Sequence, residues 1–325
     1  MKVALLGTLA CEQRERLAGL VTMPFELVPL PDGAPMAEVA ATLGTTPAMV
    51  TLKYQRGMPP APALGLLHVG GAGYDDIDLD YLPPGAVVCN AFGHDVPIAE
   101  YVILAMLQWC SRFIEAERSL RVEGHWRLGG RTGAPLQQEL AGKTVGILGL
   151  GQIGRALIPR ALAMGTEVIV STRTPGPLEP GVAWIGGPDR LDELLARADF
   201  VVVTCALTPD TLGLLDRRRL ATMKRTGVVI NVSRGPIIEE AALYEALLSG
   251  SIGGAVIDAW YQYPTRDDLT VPPSRFRFQD LPNVLMTPHS SAWTTGMIER
   301  RWATIAANLD RFARGEPLVN VVYRA

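Results

Sequence analysis

Cysteine is scarce in this chain. Cys11, Cys89, Cys110 and Cys205 stand far apart, with no CxxC pair and no histidine partnered with them. Disulfide frameworks and zinc sites need closer, patterned ligands, so the expectation is reduced, buried thiols in a cytoplasmic protein, with no metal. Charge of one sign is also missing. A formal net charge of −3 offers no basic field to nucleic acid or to an anionic membrane surface, and neither is an expected partner. No apolar run approaches the roughly 20 residues that span a bilayer. The opening MKVALLGTLACEQRERL has one lysine and a short apolar stretch, but Glu12, Arg14, Glu15 and Arg16 follow at once. It reads as a first strand and helix, not as a secretory signal. Internal repeats and low-complexity tracts are absent as well.

What is present is a soluble, globular composition, 48% hydrophobic and 19% charged, over 325 residues. That length exceeds one ordinary core, and two domains are expected. Strand-like and helix-like runs alternate almost throughout, the grammar of an α/β protein. KVALLG, FELVPL, AMVTLKY, LGLLHV and AVVCNA read as buried strands of a first unit. PIAEYVILAMLQWCSRFIEAERSL reads as one long helix, and 122–142 as a crossing loop. TVGIL, EVIVS, DFVVVTC, GVVINV, GAVID and NVLMT are the strands of a second unit. Between them, 264–281 is a proline- and charge-rich excursion long enough to cover a site or touch a second subunit. The last helix carries Ile298, Trp302, Ile305, Leu309 and Phe312 on one stripe, which predicts burial against the first unit.

The most specific motif is TVGILGLGQIG, a strand breaking into GLGQIG and then into the helix-like RALIPRALAMG. In a dinucleotide-binding βαβ unit the first glycine (Gly149) makes the tight turn and the second (Gly151) lets the backbone approach a pyrophosphate. The third (Gly154) packs the helix against the strand, and the helix start at Gln152 and Ile153 points free N–H groups at the phosphates. Pro159 lies inside this helix and is expected to bend it. An NAD site ends the next strand with a carboxylate, roughly 20 residues on, to hold the ribose 2′-OH. Here that place is Thr172, followed by Arg173. A guanidinium and hydroxyls suit a 2′-phosphate, so NADP is the expected cofactor, with NAD possible.

Three polar residues stand at the ends of later strands: Arg234 after GVVINV, Asp258 after GAVI and His289 after NVLMT. Open α/β sheets bind ligands at the carboxyl ends of their strands. Taken singly, each residue reads equally well as a surface arginine, a capping aspartate or a satisfied loop histidine. Together, beside a dinucleotide fingerprint, they point to an active site.

With those landmarks the chain resembles, over essentially its full length, the D-isomer-specific 2-hydroxyacid dehydrogenases. The resemblance rests on an ordered set: GGAGYDDIDL (70–79), CNAFGHDVPIAEY (89–101), GKTVGILGLGQIGRAL (142–157), LTPDTLGLL (207–215), INVSRGPIIEEAAL (230–243), VIDAW (256–260) and NVLMTPHSSAWT (283–294). It implies two doubly wound parallel-sheet domains. A Rossmann-type cofactor domain would span 101–289, and a flavodoxin-like substrate domain would combine 1–100 with 290–325. It further implies a cleft between them, a homodimer and a small 2-keto or 2-hydroxy acid as substrate. The STRT stretch is similar to that of NADP-using glyoxylate and hydroxypyruvate reductases. By the same resemblance Arg234 would hold the substrate's carboxylate and carbonyl, His289 would be the acid that protonates the ketone, and Asp258 would meet the nicotinamide carboxamide. The backbone amides of Gly71, Ala72 and Gly73 would take the substrate carboxylate.

One departure stands out. The family pattern Asp-x-x-x-x-Glu-Pro supplies a glutamate to the catalytic histidine, whereas this chain reads Asp258-Ala-Trp-Tyr-Gln-Tyr263-Pro264. A neutral phenol at Tyr263 cannot raise the histidine's pKa as a carboxylate does. Gln262, Asp267 and Asp268 are nearby in sequence and stay open as substitutes. Two function classes follow: an NADP-dependent reductase of a small 2-keto acid lacking the usual glutamate, or a non-catalytic NADP(H)-binding protein. Lys53, Tyr54 and His94 are candidates to line the cleft, and Trp126 and Trp293 are core aromatics or cleft walls.

Overall fold

The computed structural model describes residues 1–264 and 268–325. The chain divides into two compact units, Met1–Gly93 with Thr294–Ala325, and His94–Trp293. The expected breaks lay at 100/101 and 289/290. They fall instead outside a helix whose Ile98 and Ala99 belong to the core of the second unit, and beyond a loop tied to that unit through Asp258.

The first unit begins with five strands: β1 (Lys2–Leu6), β2 (Glu26–Leu30), β3 (Ala48–Thr51), β4 (Leu66–Val69) and β5 (Val87–Cys89). Among them lie helices α1 (Thr8–Glu12), α2 (Arg14–Leu20) and α3 (Met36–Leu43). The second unit opens with α4 (Asp95–Ser111) and α5 (Phe113–Arg121) and holds seven strands. These are β6 (Thr144–Leu148), β7 (Glu167–Ser171), β8 (Val182–Gly186), β9 (Phe200–Val203), β10 (Val228–Asn231), β11 (Gly254–Ile257) and β12 (Val284–Met286). Its other helices are α6 (Gln152–Ala163), α7 (Leu191–Arg197), α8 (Arg217–Leu220) and α9 (Glu240–Ser249). The chain then returns to the first unit through α10 (Thr295–Arg314) and β13 (Val321–Arg324).

Strand order in the first unit is β13-β5-β4-β3-β1-β2, parallel except for β13. Without β13 this is the flavodoxin-like order 2-1-3-4-5. The second sheet runs β12-β11-β10-β9-β6-β7-β8 and is wholly parallel, the doubly wound dinucleotide order with one strand added. Near-continuous runs such as FVVV and VVIN are required because helices cover both faces of such a sheet. The stripe of α10 does bury in the first unit: Ile298, Trp302, Ile305 and Leu309 pack with Val3, Leu5, Val50 and Leu66.

Three expectations are corrected. The long helix is two, because Arg112 takes a left-handed conformation (φ 52°) between α4 and α5. The break is locally satisfied: the Gln108 side chain accepts the Ile114 N–H, and Arg112 pairs with Glu115. Strands β8 and β13 went unread. Both are sheet edges, where one-sided pairing leaves a weak hydrophobic pattern. Finally, the described part of the 264–281 excursion is built into the second unit. Phe276 stacks on Tyr244 at 4.9 Å, Ser274 donates to Glu240 at 2.7 Å, and Phe278 is fully buried.

A buried histidine makes the first unit acid-sensitive. His68, in the middle of β4, is fully buried, and its Nε2 accepts the Asn308 amide at 3.0 Å while Nδ1 donates to the Val69 carbonyl at 3.1 Å. Asn308 also exchanges two hydrogen bonds with Val319 of the returning chain. Burial pushes the His68 pKa down from 6.5 to about 4. The unfolded chain therefore takes up the proton first, and stability falls as pH drops below 6.5 and levels off below about 4. The expected loss is about 2 kcal/mol at pH 5 and about 3 kcal/mol below pH 4. Urea unfolding of the wild type and of His68→Gln at pH 7 and pH 5 checks this. Equal pH dependence in the two proteins would refute it.

Candidate active site

Strand β6 sits between β7 and β9, where the sheet's winding reverses, and its carboxyl end carries the glycine turn. Gly149 has φ +107°, and a Cβ there would lie 2.7 Å from the backbone of Cys205. A Cβ on Gly154 would collide with the Gly149 carbonyl oxygen, so the third glycine lets α6 close onto the turn. Around Gly151, by contrast, a Cβ would meet nothing within 4 Å. This is a cradle with open space above its middle residue. The N–H groups of Gln152 and Ile153 lie in the first turn of α6 and have no helical acceptor. These residues fit a dinucleotide pyrophosphate. Pro159 is accommodated within the continuous α6.

At the end of β7 the Thr172 N–H is held by the Gly186 carbonyl at 3.0 Å. Arg173 is exposed, and among the described residues no carboxylate pairs with it. Glu179, in the loop that follows, is instead bound by Arg155.

Strands β9, β10, β11 and β12 are consecutive neighbours, and three of their carboxyl ends bear the polar residues singled out above. Past β10, Asn231 organises the loop, donating to the Arg234 carbonyl at 3.0 Å and accepting the Ser233 N–H at 3.1 Å. The Arg234 guanidinium donates to the Ser233 carbonyl at 2.9 Å. Past β11, Asp258 is 1% exposed and accepts three bonds: Thr287 Oγ1 at 2.6 Å, the Ser290 N–H at 2.8 Å and the Ser291 N–H at 3.1 Å. A buried carboxylate needs that many donors to offset its lost hydration. Because Thr287 donates to Asp258, it accepts from the Tyr101 hydroxyl at 2.6 Å, and burial pushes the Tyr101 phenol up to about 12. Trp260 Nε1 holds the Thr287 carbonyl at 2.8 Å.

This network fixes the backbone around His289, which adopts φ 56° in the left-handed region. Sparse conformations of this kind persist where surrounding bonds over-determine them, and Asp258 captures the next two N–H groups. The His289 ring meets Tyr263, Nδ1 lying 2.8 Å from Oη with the ring planes 49° apart. Tyr263 Oη also accepts the Trp260 N–H at 3.0 Å. Desolvation lowers the His289 pKa below its ordinary value; the Arg234 charge acts in the same sense, and Asp258 opposes both. Desolvation also raises the Tyr263 phenol, keeping it neutral. Of the other open candidates, Asp268 accepts from Thr270 at 2.6 Å, and Asp267 lies outside the described residues.

In the first unit Gly71, Ala72 and Gly73 form the loop after β4, where Asn90 holds the Ala72 carbonyl at 2.7 Å. A cavity of about 540 Å³ at the carboxyl ends of β1 to β4 is lined by Thr8, Asp32, Leu52, Lys53, Gly70 and Trp302. Tyr54 is a core residue, fully buried and bonded to the Pro59 carbonyl. His94 is half-buried just before α4, and Trp126 and Trp293 are exposed, so neither tryptophan is a core aromatic. Tyr101, Thr287, Trp260 and Asn90 were missed by sequence reasoning. All four lie within the landmark blocks, Asn90 and Tyr101 in 89–101, Trp260 in 256–260 and Thr287 in 283–294, which is the one signal that could have found them.

The family model for the D-isomer specific 2-hydroxyacid dehydrogenase, NAD binding domain, matches residues 103–291, all within the second unit. The chain belongs to this family. D-isomer-specific 2-hydroxyacid dehydrogenases are NAD(P)-dependent oxidoreductases, and the pairing of a Rossmann unit with a flavodoxin-like one is their fold. A glyoxylate reductase of Korarchaeum cryptofilum is 32% identical over 81% of this chain and 77% of its own length. A D-3-phosphoglycerate dehydrogenase of Methanocaldococcus jannaschii is also 32% identical over 81% of the chain, which spans about half (48%) of that longer relative. Among solved structures, an NADPH-dependent glyoxylate/hydroxypyruvate reductase of Sinorhizobium meliloti, in complex with NADP and sulfate, superposes with a TM-score of 0.78. It shares 28% identity, covering 99% of this chain and 98% of the other. No helix among the described residues is long and apolar enough to cross a membrane.

Proposed function

We propose that this protein is an NADP-dependent reductase that converts a small 2-keto acid, of the glyoxylate or hydroxypyruvate type, to the D-2-hydroxy acid. The observation that carries this reading is the placement of Arg234, Asp258 and His289 at the carboxyl ends of three neighbouring parallel strands, in the sheet that also bears the glycine cradle. The second unit holds the cofactor on Gly149, Gly151, Gln152, Ile153 and Gly154, with Asp258 toward the carboxamide. The first unit offers the backbone amides of Gly71, Ala72 and Gly73 to the substrate carboxylate. Arg234 binds that carboxylate and the carbonyl through its planar fork. A bound nicotinamide nucleotide supplies the hydride to C2. His289 releases its proton from Nε2 to the ketone oxygen, completing the hydroxyl, and in reverse takes that proton back. A homodimer and a cytoplasmic location belong to the same reading. Leu104, Leu107, Phe113, Ile114, Val122 and Trp126 leave apolar surface exposed on α4, α5 and the segment beyond, and all four cysteines are free thiols.

Thr172 and Arg173, which meets no carboxylate among the described residues, support NADP. NADPH is expected to bind more tightly than NADH, and Arg173→Ala to weaken NADPH roughly tenfold or more, the worth of one charge-assisted hydrogen bond, while leaving NADH unchanged. Fluorescence titration of both cofactors measures this, alongside NADPH oxidation with a panel of 2-keto acids. Equal or tighter NADH binding would reverse the cofactor assignment. No turnover of any keto acid with either cofactor would overturn the reductase.

A further inference from the structure

We propose that Tyr263 is a positioning residue that fixes the His289 ring through Nδ1 without stabilising its charged form, and thereby ends ketone reduction at a lower pH than a carboxylate partner would. This deepens the acid/base role given to His289 above and rests on it.

The geometry makes Tyr263 indifferent to the protonation state of its partner. Its oxygen already accepts the Trp260 N–H, which holds the hydroxyl beside the ring at 3.0 Å from that nitrogen. From an imidazolium it accepts the Nδ1 proton on its remaining lone pair. The neutral ring left when Nε2 gives up its proton keeps Nδ1–H, so the same bond persists; the other neutral tautomer is met by rotation of the hydroxyl, which then donates to Nδ1. The 2.8 Å contact therefore survives in both protonation states. A carboxylate at the same place would favour one state strongly, by attraction to the positive ring.

Two charged groups, Arg234 and Asp258, act on His289 beside the neutral Tyr263, and they do not make up for the absent carboxylate. Tyr263, after β11, is neutral, its phenol pushed above its ordinary value. Arg234, after β10, disfavours the imidazolium, as does desolvation. Asp258, at the end of β11, favours it, but its oxygens are occupied by Thr287, Ser290 and Ser291. Reduction consumes the imidazolium: the keto acid gains the cofactor's hydride at C2 and the Nε2 proton at oxygen, leaving neutral His289. Its rate then declines once pH passes the His289 pKa. Oxidation breaks the C2–H and O–H bonds, with the electron pair and hydrogen leaving to the oxidised cofactor and the proton to Nε2. It needs the neutral ring, which is present from a lower pH than in a carboxylate-supported site.

The test compares wild type, Tyr263→Glu and Tyr263→Phe. The His289 titration is followed by the NMR shift of its ring Cε1–H in protein free of cofactor and substrate. The chain has only four histidines, so His289→Asn assigns the resonance. Tyr263→Glu is expected to raise the titration midpoint by about one pH unit or more and to carry the alkaline limb of kcat/KM for reduction upward by the same amount. Tyr263→Phe is expected to leave that midpoint near the wild-type value while kcat falls, because the ring loses its Nδ1 partner. Superimposable titrations in wild type and Tyr263→Glu would overturn the charge argument. An undiminished kcat in Tyr263→Phe would overturn the positioning role. The NMR arm needs no turnover, so an inactive protein would sink the reductase and leave this test standing.

Discussion

Substitution of His289 by asparagine is expected to lower kcat for keto-acid reduction by roughly 10²–10⁴-fold, the usual contribution of a positioned general acid. KM should change little, because the proposed carboxylate ligand is Arg234 and not His289. A fall in kcat and kcat/KM together is the signature of an interaction made only as the proton moves. Asparagine is the informative replacement. His289 sits at φ 56°, and asparagine tolerates that region where alanine would be strained. The loop on Asp258 then stays intact, and NADPH affinity and the thermal midpoint should remain near wild type. Steady-state kinetics with the best keto acid, together with cofactor titration, decides the matter. A variant retaining more than a tenth of the wild-type kcat would remove His289 from the proton transfer.

Replacement of Asp258 by alanine is expected to act on both stability and rate. The substitution strips acceptors from two buried or half-buried backbone N–H groups, Ser290 and Ser291, and from the Thr287 hydroxyl. Each unsatisfied buried donor costs about 1–3 kcal/mol, so a loss of about 3 kcal/mol or more in unfolding free energy is expected. The His289 backbone also loses the bonds that hold its left-handed conformation, and kcat should fall even at temperatures where the protein is folded. Asp258→Asn keeps an acceptor but adds a donor facing other donors, and should fall between the two. Urea unfolding followed by tryptophan fluorescence, and kcat at 25 °C, are the measurements. An unchanged midpoint would mean that solvent satisfies the loop, and Asp258 would then be free of any structural role.

Much of the candidate site was legible because it sits where periodic structure ends. A short apolar run such as GVVINV, GAVI or NVLMT reads as a covered parallel strand, and a polar residue just beyond it falls on the sheet's carboxyl edge. That logic reached Arg234, Asp258, His289 and the glycines of 149–154 from sequence alone. It failed at Tyr101, since nothing in the order of residues says that a tyrosine on α4 donates to a threonine 186 positions later. It failed at Arg112 too, where a local hydrogen-bond choice interrupts an unbroken helical pattern.

The sequence by itself determined the fold class, the two-unit architecture, the nucleotide cradle and the replacement of a glutamate by Tyr263. Each of these follows from local chemistry: side-chain periodicity, the steric freedom of glycine, or the identity of one residue at one spacing. Only the tertiary structure decided that Tyr263 reaches Nδ1 of His289, that Asp258 anchors the His289 loop, and that part of the 264–281 excursion is core. These depend on which strands become neighbours and on where a loop turns back. Both are fixed by burial of surfaces far apart in the chain, which no local pattern records.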